Sequence, residues 1–251
     1  MRAAPILMRL VLGAALALLL LHPEAFRPLL APLADPGQPV IYDRASLLDL
    51  ALSHLATVAT AVGAASVVGI GLAIFVTRPV GVEFLPLSRS IANIGQTFPP
   101  VAVLALAVPA VGFGEAPTLI ALFLYGLLPV FENALAGLTR LPPAVVEAGR
   151  GMGMTETERL RLVELPLALP VILEGVRLSA VIAVSTATIG STVAARGLGE
   201  VIIAGLSSAN LAFVVQGGVA VAGLAVAVYE GIGAIESRLA RRAGRHGGDG
   251  S

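Results

Sequence analysis

Hydrophobic residues fall into six long runs separated by short polar breaks. The runs cover about residues 5–22, 51–77, 91–111, 117–138, 167–194 and 210–233. A helix needs roughly 20 apolar residues to cross a bilayer, so five of these runs predict spanning helices and the first is slightly short for one. Nothing in the runs alternates with a period of two. The pattern therefore predicts an all-α integral membrane protein of about six transmembrane helices. The breaks differ in character. Residues 23–48 carry Pro23, Pro28, Pro32, Pro36 and Pro39 and predict an exposed linker, with helix resuming near Ser46. Residues 112–116 predict a tight turn through Gly112 and Gly114. The tail 247–251 is expected to be disordered.

The longest polar interruption is Glu147–Pro166, EAGRGMGMTETERLRLVELP. Pro143 suits the first turn of a helix, and Pro166 is expected to stop one. Gly149, Gly151 and Gly153 between them permit a sharp turn. Thr155 followed by Glu158 reads as a capping box, which starts a second short helix at Glu156. The stretch predicts helix, glycine turn, helix: a folded knob on the membrane surface.

Composition supports the membrane assignment. The chain is 57% hydrophobic and 13% charged over 251 residues, against about 45–50% and 25% in a soluble domain. The formal net charge is zero, which offers no footprint for nucleic acid. No cysteine is present, so disulfides, thiolate metal sites and thiol catalysis are excluded. His22, His54 and His246 have no metal-ligand spacing. All sixteen basic residues are arginine. With both ends inside, the cytoplasmic segments hold twelve of them and the outer loops only Arg27, Arg44 and Arg196. That positive-inside bias places the knob in the cytoplasm. In the first run an unbroken apolar stretch, Leu10–Leu21, follows Arg2 and Arg9, and the run is read as a retained helix, because no Ala-x-Ala cleavage pattern follows it closely.

Several polar residues sit inside the runs. Asn93–Pro100 includes Gln96 and Thr97 and ends in a proline pair. It predicts a backbone break, which is tolerated beside a water-filled cavity or among packed neighbours. Glu132, Glu174, Arg177 and Glu230 lie toward the cytoplasmic ends of their spans. They read either as a gate network around Arg177 or as static pairs and snorkelling side chains. Glu174 and Arg177 are three apart and can pair. Thr186 and Thr188, within Ser185–Thr192, either bond back to the helix or line a polar path. Gly63, Gly69 and Gly71 predict close helix packing.

The Glu147–Pro166 stretch resembles the EAA loop of permease subunits in bacterial ABC importers. Glu147-Ala148-Gly149, Gly153, Val163 and Leu165-Pro166 fall on that spacing, with Gly149 in place of the second Ala and Val163 in place of Ile. The resemblance implies the type I ABC importer permease fold, MetI-like. It implies that Glu147, Ala148, Gly149, Gly153, Met154, Thr155, Leu165 and Pro166 form a coupling helix that docks on a separate ATPase. ATP and magnesium would be held by that ATPase, since this chain has no Walker-type glycine loop and needs no cofactor of its own. The implied companions are an ATPase pair, an external solute-binding protein, a second permease subunit and membrane lipid, in a bacterial inner membrane with both termini cytoplasmic. The implied domains are an N-terminal helix at 1–22, an external linker at 23–48, a transmembrane domain at 49–235 with its coupling loop at 140–166, and a cytoplasmic tail at 236–251.

A second stretch, Ala187-Thr188-Ile189 followed by Gly197-Leu198-Gly199, is similar to permeases of the glycine betaine, choline and carnitine branch. Arg196 and the two alanines before it depart from that branch. The implied cargo is a compatible solute such as glycine betaine, choline, carnitine or proline. With no Trp, three Tyr and eight Phe, no aromatic cage for a quaternary ammonium is expected within the chain. Two other readings stay open: an ABC permease for a different solute such as an amino acid or organic anion, and a secondary transporter or membrane scaffold. A membrane enzyme is disfavoured, because no paired Asp, His cluster or Ser/His set occurs in the runs.

Overall fold

The structure is a computed structural model that describes residues 3–244, and side chains from residue 7 to 238. The expected disordered tail at 247–251 lies outside the described residues. No strand occurs among the described residues. The helices are α1 Ala3–Leu21, α2 Arg27–Leu30, α3 Leu47–Val76, α4 Leu85–Thr97, α5 Pro100–Val111, α6 Glu115–Thr139, α7 Pro143–Gly151, α8 Glu156–Arg159, α9 Leu165–Gly190, α10 Gly199–Ser207 and α11 Leu211–Gly244. Among the described residues, four helices are long and apolar enough to cross a membrane, or up to six if two bent pairs each count as one span. Helices prevail because backbone N–H and C=O groups in hydrocarbon must be satisfied within their own segment.

The two bent pairs correct the straight-run expectation. Residues 91–111 are not one straight helix: the chain turns by 98° between Val82–Thr97 and Pro100–Val111. Pro99 is extended (φ −61°, ψ 141°) and Pro100 opens α5 at its first position. Proline disfavours helix in the residue before it, so consecutive prolines end α4 and restart the helix in a new direction. A second bend of 112° follows α1 at His22.

The chain forms two compact units. The first comprises residues 1–61, 99–122 and 181–228. In it the supposed linker is not exposed throughout. Leu30, Ile41 and Tyr42 are buried, and Leu30 and Ile41 pack with Ala212 of α11. The Tyr42 ring meets Phe213 edge-on at 5.4 Å. Three long-range hydrogen bonds hold the segment: Gln38 Nε2 to the Ser208 carbonyl (3.2 Å), Asn210 Nδ2 to the Pro39 carbonyl (2.8 Å), and Tyr42 N–H to Gln216 Oε1 (3.0 Å). Prolines stiffen the segment, and its apolar residues then find a partner that hydropathy along the chain does not reveal. Buried His54 of α3 bonds the Val184 carbonyl at 2.9 Å and lies against Gly197. Helix α10 follows that turn and was not predicted.

The second unit comprises residues 62–98, 123–180 and 229–251. Its core is Ala73, Val76, Ala92, Leu127, Phe131, Ala134, Leu135, Leu138, Ala168 and Ile172, from α3, α4, α6 and α9. Small residues let these helices approach. A Cβ at Gly95 would lie 2.1 Å from the Leu124 carbonyl oxygen, so α4 and α6 touch through backbone there. Of the three glycines predicted to pack α3, only Gly69 meets a neighbour, at Val130 and Phe131; Gly63 and Gly71 meet nothing within 4 Å.

Candidate functional site

The polar stretch between α6 and α9 is the most built surface feature of the second unit. Pro143 occupies the first turn of α7, where its missing N–H has no intrahelical partner to lose. The helix ends by turning through Gly153 at φ +75°. Gly153 N–H then donates to the Arg150 carbonyl (2.9 Å) and Met154 N–H to the Gly149 carbonyl (3.1 Å). Left-handed backbone of this kind favours glycine. Thr155 and Glu158 form the capping box that the spacing predicts: Glu158 N–H donates to Thr155 Oγ1 at 3.3 Å, and Thr155 N–H to Glu158 Oε2 at 2.9 Å.

The end of the loop differs from expectation. Pro166 does not stop a helix. Residues Leu160–Glu164 form one π-helical turn that runs directly into α9, and Pro166 sits at the second position of α9. Proline lacks the N–H that would bond back to residue 162, and its ring crowds that carbonyl. The wider π turn accommodates both, so the helix continues.

That turn delivers Glu164, 4% exposed, to two arginines. Arg159 Nε donates to Oε1 at 2.7 Å, and Arg78, just beyond α3, donates to Oε2. Arg159 is itself buried. A buried carboxylate needs such partners, because the loss of hydration otherwise exceeds any local attraction. The triad ties the foot of α3 to both arms of the loop, since the Arg159 methylenes also cover Gly149: a Cβ there would lie 3.4 Å from Arg159 Cγ and Cδ. The sequence reading missed all three residues. The available signal was an acidic residue placed directly before Leu165-Pro166 at the edge of an apolar run.

Of the other predicted loop residues, Glu147, Ala148, Gly153, Thr155 and Pro166 are exposed, Met154 and Leu165 are half-buried, and Gly149 is buried. Met152 and Leu162 add two large exposed apolar side chains, 69% and 66%. The loop therefore presents a carboxylate and apolar groups on a rigid, capped frame, an arrangement suited to docking another protein surface.

Glu132 and Arg177 each anchor a cluster of contacts. Arg177 pairs with Glu174 (3.5 Å) and Glu236 (3.8 Å). Its guanidinium lies 3.3 Å above the Tyr229 ring and its Nε donates to the Tyr229 carbonyl at 3.0 Å. Glu132 instead takes a two-pronged bond from Arg89 of α4, at 2.6 and 3.1 Å. Each cluster links two helices, α9 to α11 and α4 to α6.

The polar residues near the α4 break have a structural reason. Pro129 within α6 cannot donate to the Tyr125 carbonyl four residues earlier. Gln96 Nε2 donates to that carbonyl instead, at 3.0 Å. The Tyr125 hydroxyl in turn donates to the Phe98 carbonyl at the break. Thr97 bonds back to the Ile94 carbonyl at 2.7 Å. In the other unit, Thr188 bonds back to the Ser185 carbonyl at 2.8 Å, and Thr186 is half-buried.

Comparison with known proteins agrees with this architecture. Residues 65–241 match the model of a family described as binding-protein-dependent transport system inner membrane component. The osmoprotectant import permease protein OsmY of Salmonella typhimurium is 44% identical over 160 residues, 64% of this chain and 68% of its own. The choline transport system permease protein OpuBB of Bacillus subtilis is 36% identical over 180 residues, 69% and 83% of the two chains. Among solved structures, the inward facing MetNI methionine ABC transporter superposes with a TM-score of 0.69 at 21% identity, covering 77% of this chain and 95% of that one; at that identity the likeness speaks for the fold alone. Family match, relatives and helical architecture converge: the chain belongs to the binding-protein-dependent inner membrane components and is a permease subunit of an ABC importer.

Proposed function

We propose that this permease carries a small osmoprotectant such as glycine betaine, choline, carnitine or proline, and that the loop from Pro143 to Glu164 is its coupling element. A separate ATPase would grip the exposed face of the loop, with Glu147, Met152 and Leu162 as contacts. A binding protein would deliver the solute on the far side, and a second permease subunit would complete the pore. The arginine bias supports a cytoplasmic loop and cytoplasmic termini. The cargo reading draws on relatives named for osmoprotectant, choline and carnitine transport at 36–44% identity.

The single observation that carries the coupling role is the capped, glycine-closed loop whose buried face is anchored through Glu164 while its outer face stays open. Force applied to such a body passes to α3 and α9 instead of being lost in loop motion. The test is co-purification with the ATPase and solute uptake in cells lacking other osmoprotectant systems. Glu147→Ala and Gly153→Asp are expected to weaken ATPase retention and to abolish uptake while the permease still inserts. Normal assembly and uptake in both variants would overturn the coupling role. Uptake of none of the four solutes by the unaltered system would overturn the cargo.

A further inference from the structure

In the first unit, Tyr42 and Arg44 form one wall of a cavity of about 400 Å³. They face Ser191, both Glu200 and Ser207 of α10, and Ser208 just past its end. None of these residues belongs to the coupling loop, and only Ser191 falls in a stretch read as a polar path. We propose that this cavity is a reception site for a carboxylated quaternary ammonium zwitterion, with Arg44 taking the carboxylate and Glu200 with Tyr42 taking the cationic end. The proposal deepens the cargo reading above and rests on it.

Three observations carry it. First, the wall is held in place. The bonds from Gln38, Asn210 and Gln216 described above, and the Tyr42–Phe213 ring contact, pin residues 38–42 to the α10–α11 turn and to α11. A preorganised wall spares a ligand the entropy of ordering it. Second, the charges are complementary and open. Glu200 uses one oxygen on the Gly197 N–H at 3.2 Å, while Arg44 is exposed and forms no ion pair among the described residues. Both signs within one cavity suit a molecule that carries both. Burial pushes the Tyr42 phenol above its usual range, with Glu200 adding to the rise and Arg44 opposing it, so the ring stays neutral beside both charges. Third, a single aromatic is too little for a cage, so binding is weak. Weak binding suits a site that receives solute from a partner and passes it on.

The experiment uses the permease–ATPase complex in lipid nanodiscs without binding protein, titrated with glycine betaine or with choline, which lacks the carboxylate. Binding is read by saturation-transfer NMR, and uptake is measured in parallel with the complete system. Arg44→Gln is expected to weaken glycine betaine binding about tenfold, the usual scale for losing a charge-assisted bond, while choline changes less than twofold. Arg44→Lys should restore part of the loss. Glu200→Gln should weaken both ligands. Unchanged glycine betaine binding in Arg44→Gln overturns the site. So does a complex that imports glycine betaine yet binds none, which leaves the cargo reading standing. An equal fall in uptake of both solutes with unchanged binding assigns the surface to binding-protein docking and also overturns it. A complete system that imports neither solute overturns the cargo reading and this site with it.

Discussion

Glu164 shows how one residue can hold a surface loop to its scaffold. Two arginines converge on a carboxylate that is almost wholly buried. Removing one member strands a charge, whereas removing all three leaves none. Glu164→Ala is therefore expected to destabilise the permease by about 3–5 kcal/mol, measured as a lower thermal midpoint in lipid. The triple change Arg78→Met, Arg159→Met, Glu164→Met should recover most of that loss while uptake stays impaired. Gly153 gives a smaller, local test. At φ +75°, Gly153→Ala should cost about 1–2 kcal/mol, seen as faster amide exchange across residues 150–158. Gly149→Ala meets only ordinary contacts and should be tolerated. The glycine that replaces the second alanine of the EAA pattern thus leaves room for the residue it replaces.

At the scale of the elements, proline explains more than the apolar pattern does. It ends α4, opens α5 and α7, and lies inside α5, α6 and α9. Each interior proline leaves a carbonyl without its helical donor. For Pro129 the donor comes from Gln96 of α4. Gln96→Leu should therefore destabilise the permease by about 1–2 kcal/mol. Pairing it with Pro129→Ala should recover stability, because the restored N–H can bond the Tyr125 carbonyl. If the double variant were no better than the single one, the Gln96 side chain would have another role. The loop's caps and glycine turn were legible because they depend on residues within four positions of one another. The π turn at Leu160–Glu164 was not legible, because proline can be met either by ending a helix or by widening it. The choice rests on Glu164 finding Arg78, 86 residues away.

For the whole molecule, the orientation drawn from arginine counting admits a direct check. The chain has no cysteine, so single introduced thiols report unambiguously. Met152→Cys should react with a membrane-impermeant reagent only from the cytoplasmic side, and Asp43→Cys only from the outer side. Labelling of Met152→Cys from outside would sink the coupling role along with the orientation.

Helical class and the folded polar loop were determined by the sequence alone. They depend on hydropathy summed over about 20 neighbouring residues and on caps that act within one turn. The partners of buried charges, the glycines that pack, and the change of residues 23–48 from linker to stitched wall were decided only in the tertiary structure. Those outcomes depend on groups up to 174 residues apart, and no local property of a chain records which distant atoms will satisfy a buried donor or carboxylate.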